Sequence, residues 1–247
     1  FYIRSSAHVA FSVYALVPMT HFMFNISKDE TMAYFAFFGT IVGYNFVKYD
    51  ALARAQKTEM RRELKLIVIL SFFSLLAVGY FFFQLQRITQ MVSVGVLALT
   101  LLYTLPFFPN RKNARNWAGV KIYIVALCWV GVTLVLPLVN AHITHGLDFY
   151  LKCVQRFILV FVLILIFEIL DLANDDPHLK TVPQQIGVRR TKIIGLMLLL
   201  PFYFLELLKN NFIEKQLIVN GVLVLALSLF LVFANEKRSK YYTSFWV

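Results

Sequence analysis

Long apolar stretches separated by short polar segments follow one another along the whole chain. Each stretch holds about 20 residues, the length that an α-helix needs to cross the hydrocarbon core of a bilayer. The pattern predicts an all-α, multi-span transmembrane bundle in which residues 1–247 form a single domain. Eight spans are predicted, at 7–24, 31–49, 66–85, 88–108, 122–139, 149–171, 193–208 and 217–234. The apolar run at 241–247 predicts the start of a ninth span, so we expect a truncated C-terminus.

The distribution of basic residues predicts the orientation of the chain in the membrane. The loops after spans two, four, six and eight hold six, four, four and three Lys/Arg, and the other loops hold one, one, none and two. Basic loops face the cytoplasm, so the N-terminus is predicted to be cytoplasmic. This topology explains the net charge of +11 without nucleic acid as a partner. Cytoplasmic basic loops fit a bacterial inner membrane.

Three carboxylates lie at the end of the sixth predicted span. Glu168, Asp171 and Asp175 are three and four residues apart, which places them on one face of a helix. Carboxylates that face one another need a positive charge between them, and Mg²⁺ commonly takes one or two protein carboxylates together with phosphate oxygens. The pattern therefore indicates a magnesium–phosphate site. The alternative is that these residues only end the helix at the water boundary.

The segment EILDLANDDPHLKTVPQQIG resembles the second aspartate-rich motif of the UbiA-type intramembrane prenyltransferases. That motif has the form D-x-x-D-x-x-x-D, followed by a basic residue, Thr-hydrophobic-Pro and a nearby Gly. Glu168 stands at the first acidic position and Lys180 at the basic one. A second resemblance lies in the family's Tyr-x-x-Pro end of span four and its Gly-hydrophobic-Lys entry to span five. The residues that carry these two matches are Tyr103, Pro106, Gly119, Lys121, Pro137, Asp171, Asp175, Thr181, Val182, Pro183 and Gly187.

The resemblance implies a membrane enzyme that binds an isoprenyl diphosphate with Mg²⁺ and transfers or cyclises the prenyl group. Membrane lipid and other membrane proteins are the further partners that it suggests. The catalytic residues that it implies are Asp171, Asp175 and Tyr103, and the substrate-binding residues are Asn45, Arg54, Lys121 and Lys180. The metal ligands that it implies are Asp50, Glu168, Asp171 and Asp175.

The first aspartate-rich motif of the family has the form N-x-x-x-D-x-x-x-D, and this chain departs from it. Asn45 occupies the Asn position, but Tyr49 and Ala53 stand where the two Asp residues belong. Asp50 lies one residue late, about 100° further around a helix. The departure favours an alternative function, a catalytically degenerate relative that binds lipid or serves as a structural subunit of a membrane complex. Asn45 itself either contacts metal-bound phosphate or ties two helices together.

Charged residues inside other predicted spans have a simpler interpretation. Lys152 and Arg156 lie early in span six, and we expect their long side chains to snorkel to the membrane interface. Glu206 and Lys209 are expected to form an ion pair at the interface by the same argument.

Overall fold

The computed structural model describes residues 1–55, 62–104, 119–173 and 180–236 together with 238 and 242, and for 50–55 it describes the backbone alone. Within these ranges every regular element is a helix. The α-helices are α1 (Ala7–Met23), α2 (Glu30–Ala55), α3 (Arg62–Phe82), α4 (Arg87–Thr104), α5 (Val120–Val130), α6 (Leu136–Asn140), α7 (Leu147–Asp171), α8 (Val182–Ile186), α9 (Val188–Phe204) and α10 (Glu214–Phe233). A π-helical segment (Gly131–Val135) joins α5 to α6, and a 3₁₀ turn (Leu205–Leu208) extends α9.

The described helices confirm a helical membrane bundle. Six of them are long and apolar enough to cross a bilayer, namely Arg62–Phe82, Arg87–Thr104, Val120–Asn140, Leu147–Asp171, Val188–Leu208 and Glu214–Phe233. Helices also form at the first two predicted spans, but α1 has 17 residues and α2 includes the polar residues Asn45 and Lys48. The predicted start of a ninth span lies almost entirely outside the described residues.

The chain divides into two compact units, and the first consists of Phe1–Ala98 and Gly131–Ile143. In this unit α2 packs against both α1 and α3. Aromatic rings fill much of the contact between α2 and α3. Phe38 stacks on Phe81 with ring centroids 6.1 Å apart, and Tyr34 stacks on the same ring at 5.6 Å.

Pro137 and the neighbouring helix α1 account for the hydrogen bonding of the π-helical segment. Pro137 has no backbone N–H, so it cannot bond to the Thr133 carbonyl four residues earlier. The Thr20 hydroxyl of α1 donates to this buried carbonyl at 2.7 Å instead. Gly131 allows a close approach, because a Cβ atom here would lie 2.8 Å from a methyl carbon of Val96. The irregular helix is therefore held by an interhelical hydrogen bond and by close packing.

The second unit consists of Leu99–Val130 and Thr144–Val247, and α7 is its most buried candidate span. Helix α7 packs against α5, α9 and α10. Its apolar residues form a core with α9 and α10 that includes Ile158, Leu159, Val162, Leu199, Phe202 and Leu227. At Gly195 a Cβ atom would lie 2.5 Å from a methyl carbon of the buried Leu231, so this glycine allows α9 and α10 to approach closely.

Candidate functional site: the acidic end of α7 and a buried charge cluster

The acidic motif begins at the C-terminal end of α7, which ends at Asp171. Glu168, one turn earlier, is buried with 4% of its surface exposed, whereas Asp171 is exposed. One carboxylate oxygen of Glu168 accepts the backbone N–H of Val182 at 3.0 Å. Because this N–H belongs to the first turn of α8, the carboxylate also stabilises the positive end of that helix.

The short helix α8 follows the acidic run in sequence and packs against α7 and α9. Lys180 is exposed and adopts a positive φ of 47°. The N–H of Thr181 donates to the side-chain oxygen of Gln184 at 3.0 Å, which closes the start of α8. Gly187 ends α8 with a φ of 81°, a conformation that glycine adopts without strain. The segment 180–187 therefore carries a basic residue, Lys180, a few residues after the acidic end of α7. The contacts of Thr181 and the conformation of Gly187 fix the two ends of α8.

The described part of the chain does not bring three His, Cys, Asp or Glu side chains together as a metal cluster. Asp175 and the side chain of Asp50, both predicted metal ligands, lie outside the described residues. Glu168 and Asp171 are described, and two carboxylates with phosphate oxygens are an ordinary ligand set for Mg²⁺. The two carboxylates are thus of the chemical type that Mg²⁺ binds.

Asn45 ties two helices of the first unit together. Its amide group donates to the hydroxyl of Ser71 at 2.9 Å, and that hydroxyl donates to the carbonyl of Ile67 at 2.8 Å. The Asn45 Oδ1 atom is buried and has no hydrogen-bond partner among the described residues. Asn45 therefore joins α2 to α3, and its Oδ1 atom can still accept a hydrogen bond.

Tyr49 stands where the family resemblance would place a carboxylate, and its side chain makes a different contact. Its hydroxyl donates to the backbone carbonyl of Arg4 at 2.7 Å, and the ammonium of Lys48 donates to the same carbonyl at 3.2 Å. The Arg4 side chain in turn forms an ion pair with Glu63 at the start of α3. The end of α2 is therefore joined to the segment before α1.

Three further residues of the predicted site lie near helix ends. Tyr103 is buried with 7% exposure in the last turn of α4. Lys121 is half-buried in the first turn of α5, and both residues belong to the second unit. Arg54 lies on α2 in the first unit, and its side chain is outside the described part.

A buried group of polar residues in the second unit was not predicted as a site. We call it the Glu206 cluster; its members are Lys152, Glu206, Lys209, Gln216 and Asn220. Glu206 has no exposed surface and accepts hydrogen bonds from Lys152 at 2.5 Å, Asn220 at 2.9 Å and Lys209 at 3.1 Å. Lys209 also donates to the Gln216 side-chain oxygen at 3.1 Å. The cluster links α7 and α10 to the 3₁₀ turn that extends α9, through charged and amide groups.

The prediction that Lys152 and Arg156 snorkel to the interface was wrong. They expose 3% and 4% of their surface, because neighbouring helices cover α7 on this side. The predicted ion pair between Glu206 and Lys209 is confirmed at 3.1 Å, but it is buried rather than interfacial. The sequence did carry a signal: polar pairs spaced by three or four residues recur in the three segments, at 152/156, 206/209 and 216/220.

Comparison of this chain with models of known protein families, with curated proteins and with solved structures found no match. The family resemblance therefore depends on the quoted motifs alone.

Proposed function

We propose that this chain is a UbiA-like membrane protein that binds an isoprenyl diphosphate with Mg²⁺ and transfers or cyclises the prenyl group. The observation that supports the proposal best is the end of α7, where the carboxylates of Glu168 and Asp171 follow a long, buried, apolar helix. Acidic residues at such a position are costly and commonly functional. The apolar prenyl chain would lie along the apolar part of α7, and the diphosphate would lie at its acidic end.

The charges around this helix end suit an anionic headgroup. Lys180 precedes α8, and Arg189 and Arg190 lie exposed in the first turn of α9. Their charges would attract the diphosphate and stabilise the negative charge that develops when it leaves. Mg²⁺ held by Glu168 and Asp171 would supply further neutralisation of that charge. The family resemblance adds Asp175 as a ligand and Tyr103 as a catalytic side chain.

The proposal includes the topology indicated by the basic loops. Eight spans and a ninth that begins at 241–247 would place the N-terminus and the acidic end of α7 in the cytoplasm. A bacterial inner membrane is the location that fits these basic loops.

A second function is favoured by two observations on the site residues. The Glu168 carboxylate already accepts a backbone N–H from α8, and Tyr49 replaces a family carboxylate with a phenol that bonds to the Arg4 backbone. In both contacts the side chain holds neighbouring segments of the protein together. A protein of this kind would bind a prenyl lipid, or support a membrane complex, without turnover.

Binding and turnover assays distinguish the two functions. Purified protein is incubated with radiolabelled geranyl, farnesyl and longer prenyl diphosphates and with a membrane extract that supplies prenyl acceptors, with Mg²⁺ or with EDTA. The variants are Asp171→Asn/Asp175→Asn and, as a control for loss of an exposed carboxylate, Glu214→Gln in the first turn of α10.

An enzyme releases diphosphate only with Mg²⁺, and the double variant abolishes this release while the control retains it. Mg²⁺-dependent binding without release supports the lipid-binding alternative. Binding that is absent, or that the double variant leaves unchanged, contradicts the proposed site.

A further inference from the structure

The first unit contains a polar cavity of about 460 Å³ between the loop after α1 and the end of α6. We call it the α1–α2 cavity. Its lining includes His21, Lys28, Asp29, Glu30, Pro137 and Asn140. Asn140 is the last residue of a candidate membrane span, so the cavity lies at the level where that span ends. This is the level of lipid headgroups, where polar and apolar chemistry meet.

His21 lines this cavity and carries a buried polar atom that lacks a hydrogen-bond partner among the described residues. The residue is 98% buried, with 2% of its surface exposed, and its Nδ1 atom has no hydrogen-bond partner among the described residues. Its backbone carbonyl, in contrast, accepts the N–H of Ile26 at 3.0 Å, which fixes the turn after α1. A buried polar atom without a partner is costly and uncommon. A ligand atom that donates to Nδ1 would remove this cost.

Asp29 forms a rigid acidic wall of the same cavity. One carboxylate oxygen accepts the N–H of Met32 at 3.0 Å and so caps α2, and the other accepts the side-chain amide of Asn140 at 2.6 Å. Asn140 is itself held by Gln86, whose backbone N–H donates to the Asn140 side chain at 3.2 Å. The carboxylate is therefore positioned before any ligand arrives, and each of its oxygens can accept a further bond.

The charges of the lining select the class of ligand. Asp29 and Glu30 offer carboxylates and His21 offers a ring nitrogen, which is a set of acceptors that matches a primary ammonium group with its three donors. Lys28 on the same lining provides a positive charge for an anionic group next to the ammonium.

We propose that the α1–α2 cavity binds a primary ammonium group adjacent to a phosphate, as in an ethanolamine phosphate headgroup. The ammonium donates to the Asp29 and Glu30 carboxylates and to His21 Nδ1, and Lys28 pairs with the phosphate. The site lies within the first unit and does not depend on the prenyl-diphosphate function. The same chemistry occurs in a membrane phospholipid and in free ethanolamine phosphate.

The test measures lipid binding to the purified, detergent-solubilised chain by native mass spectrometry. The probes are phosphatidylethanolamine, phosphatidylcholine and phosphatidylglycerol, with soluble ethanolamine phosphate as a separate arm. Phosphatidylcholine is the decisive comparison, because its quaternary ammonium has no N–H to donate. The variants are Asp29→Asn, which keeps a side chain able to cap α2, and His21→Phe. Glu214→Gln is the control, because it removes a carboxylate from the first turn of another helix, α10.

We expect phosphatidylethanolamine to bind about tenfold more tightly than phosphatidylcholine, and Asp29→Asn to remove this preference while Glu214→Gln retains it. Binding of ethanolamine phosphate as strong as that of the lipid would identify a free small molecule as the ligand; much weaker binding would identify the lipid. Equal binding of the two phospholipids to the native chain overturns the proposal. An Asp29→Asn variant that still prefers phosphatidylethanolamine also overturns the proposal. This outcome can be read even if His21→Phe does not fold.

Discussion

Replacement of Glu206 by glutamine removes the only carboxylate of the Glu206 cluster and leaves the side chain nearly unchanged in size. In the native chain this carboxylate accepts hydrogen bonds from the ammonium groups of Lys152 and Lys209 and from the amide of Asn220. Glutamine keeps one acceptor oxygen but turns an N–H₂ group toward positive charges. The variant therefore has two ammonium groups in a buried site without a counter-charge.

The size of the effect follows from these contacts. A hydrogen bond to a charged group contributes about 1.5–3 kcal/mol, and two such bonds to Glu206 are lost. Removal of one partner from a buried ion pair costs about 3–5 kcal/mol in soluble proteins. Helices that separate inside a bilayer can find other polar partners, which reduces such costs. We therefore expect the free energy of unfolding to fall by about 3 kcal/mol.

Reversible unfolding in mixed micelles, followed by far-UV circular dichroism, measures this change. Glu214→Gln provides the control, because it removes an exposed carboxylate from the first turn of α10. The triple variant Lys152→Met/Glu206→Leu/Lys209→Met removes all three charges and should recover most of the lost stability, since apolar replacements of buried ion pairs are often neutral. A Glu206→Gln variant within about 1 kcal/mol of the control would refute this account of the cluster.

Two other substitutions test the packing and the predicted site. Gly195→Ala should lower the free energy of unfolding by about 1–3 kcal/mol, because its Cβ would meet the buried Leu231; Gly79→Ala, where a Cβ meets no atom within 4 Å, is the control in thermal unfolding. Asn45→Ala and Ser71→Ala should each cost about 0.6 kcal/mol, the value of an average interhelical hydrogen bond in a membrane. If Asn45 also binds the substrate, Asn45→Ala alone weakens Mg²⁺-dependent binding of prenyl diphosphate; equal binding by both variants would assign Asn45 a structural role only.

The positions of the helices could be predicted because apolar length is a local property of the sequence. The predicted span 149–171 differs from α7 by two residues at its start and by none at its end. Larger errors occur where polar residues extend a helix, because α2 runs to Ala55 rather than 49 and α3 begins at Arg62 rather than 66. Helix formation does not require apolar residues, and Arg62, Glu63 and Lys65 form helices readily before the membrane part begins.

The long-range polar contacts could not be predicted in the same way. Lys152 and Glu206 are 54 residues apart, and Asp29 and Asn140 are 111 residues apart. Each charge by itself resembles an ordinary interfacial residue, and only the packing of helices decides whether it meets a partner or reaches water. The spacing of Glu168 and Asp171 did predict a shared helix end. It gave no sign that Glu168 accepts a bond from α8.

The buried charges of α7 also have a consequence for how the chain enters the membrane. At 1.5 Å per residue, Lys152 and Arg156 lie about 8 and 14 Å from the start of α7, within the helix that is long and apolar enough to cross the bilayer. A basic residue within a span opposes insertion, by up to about 2.5–3.5 kcal/mol at the centre of the span. Glu206, which compensates Lys152, is synthesised later. Lys152 therefore gains its counter-charge only after the 3₁₀ turn that follows α9 has entered the membrane, 54 residues later in the chain.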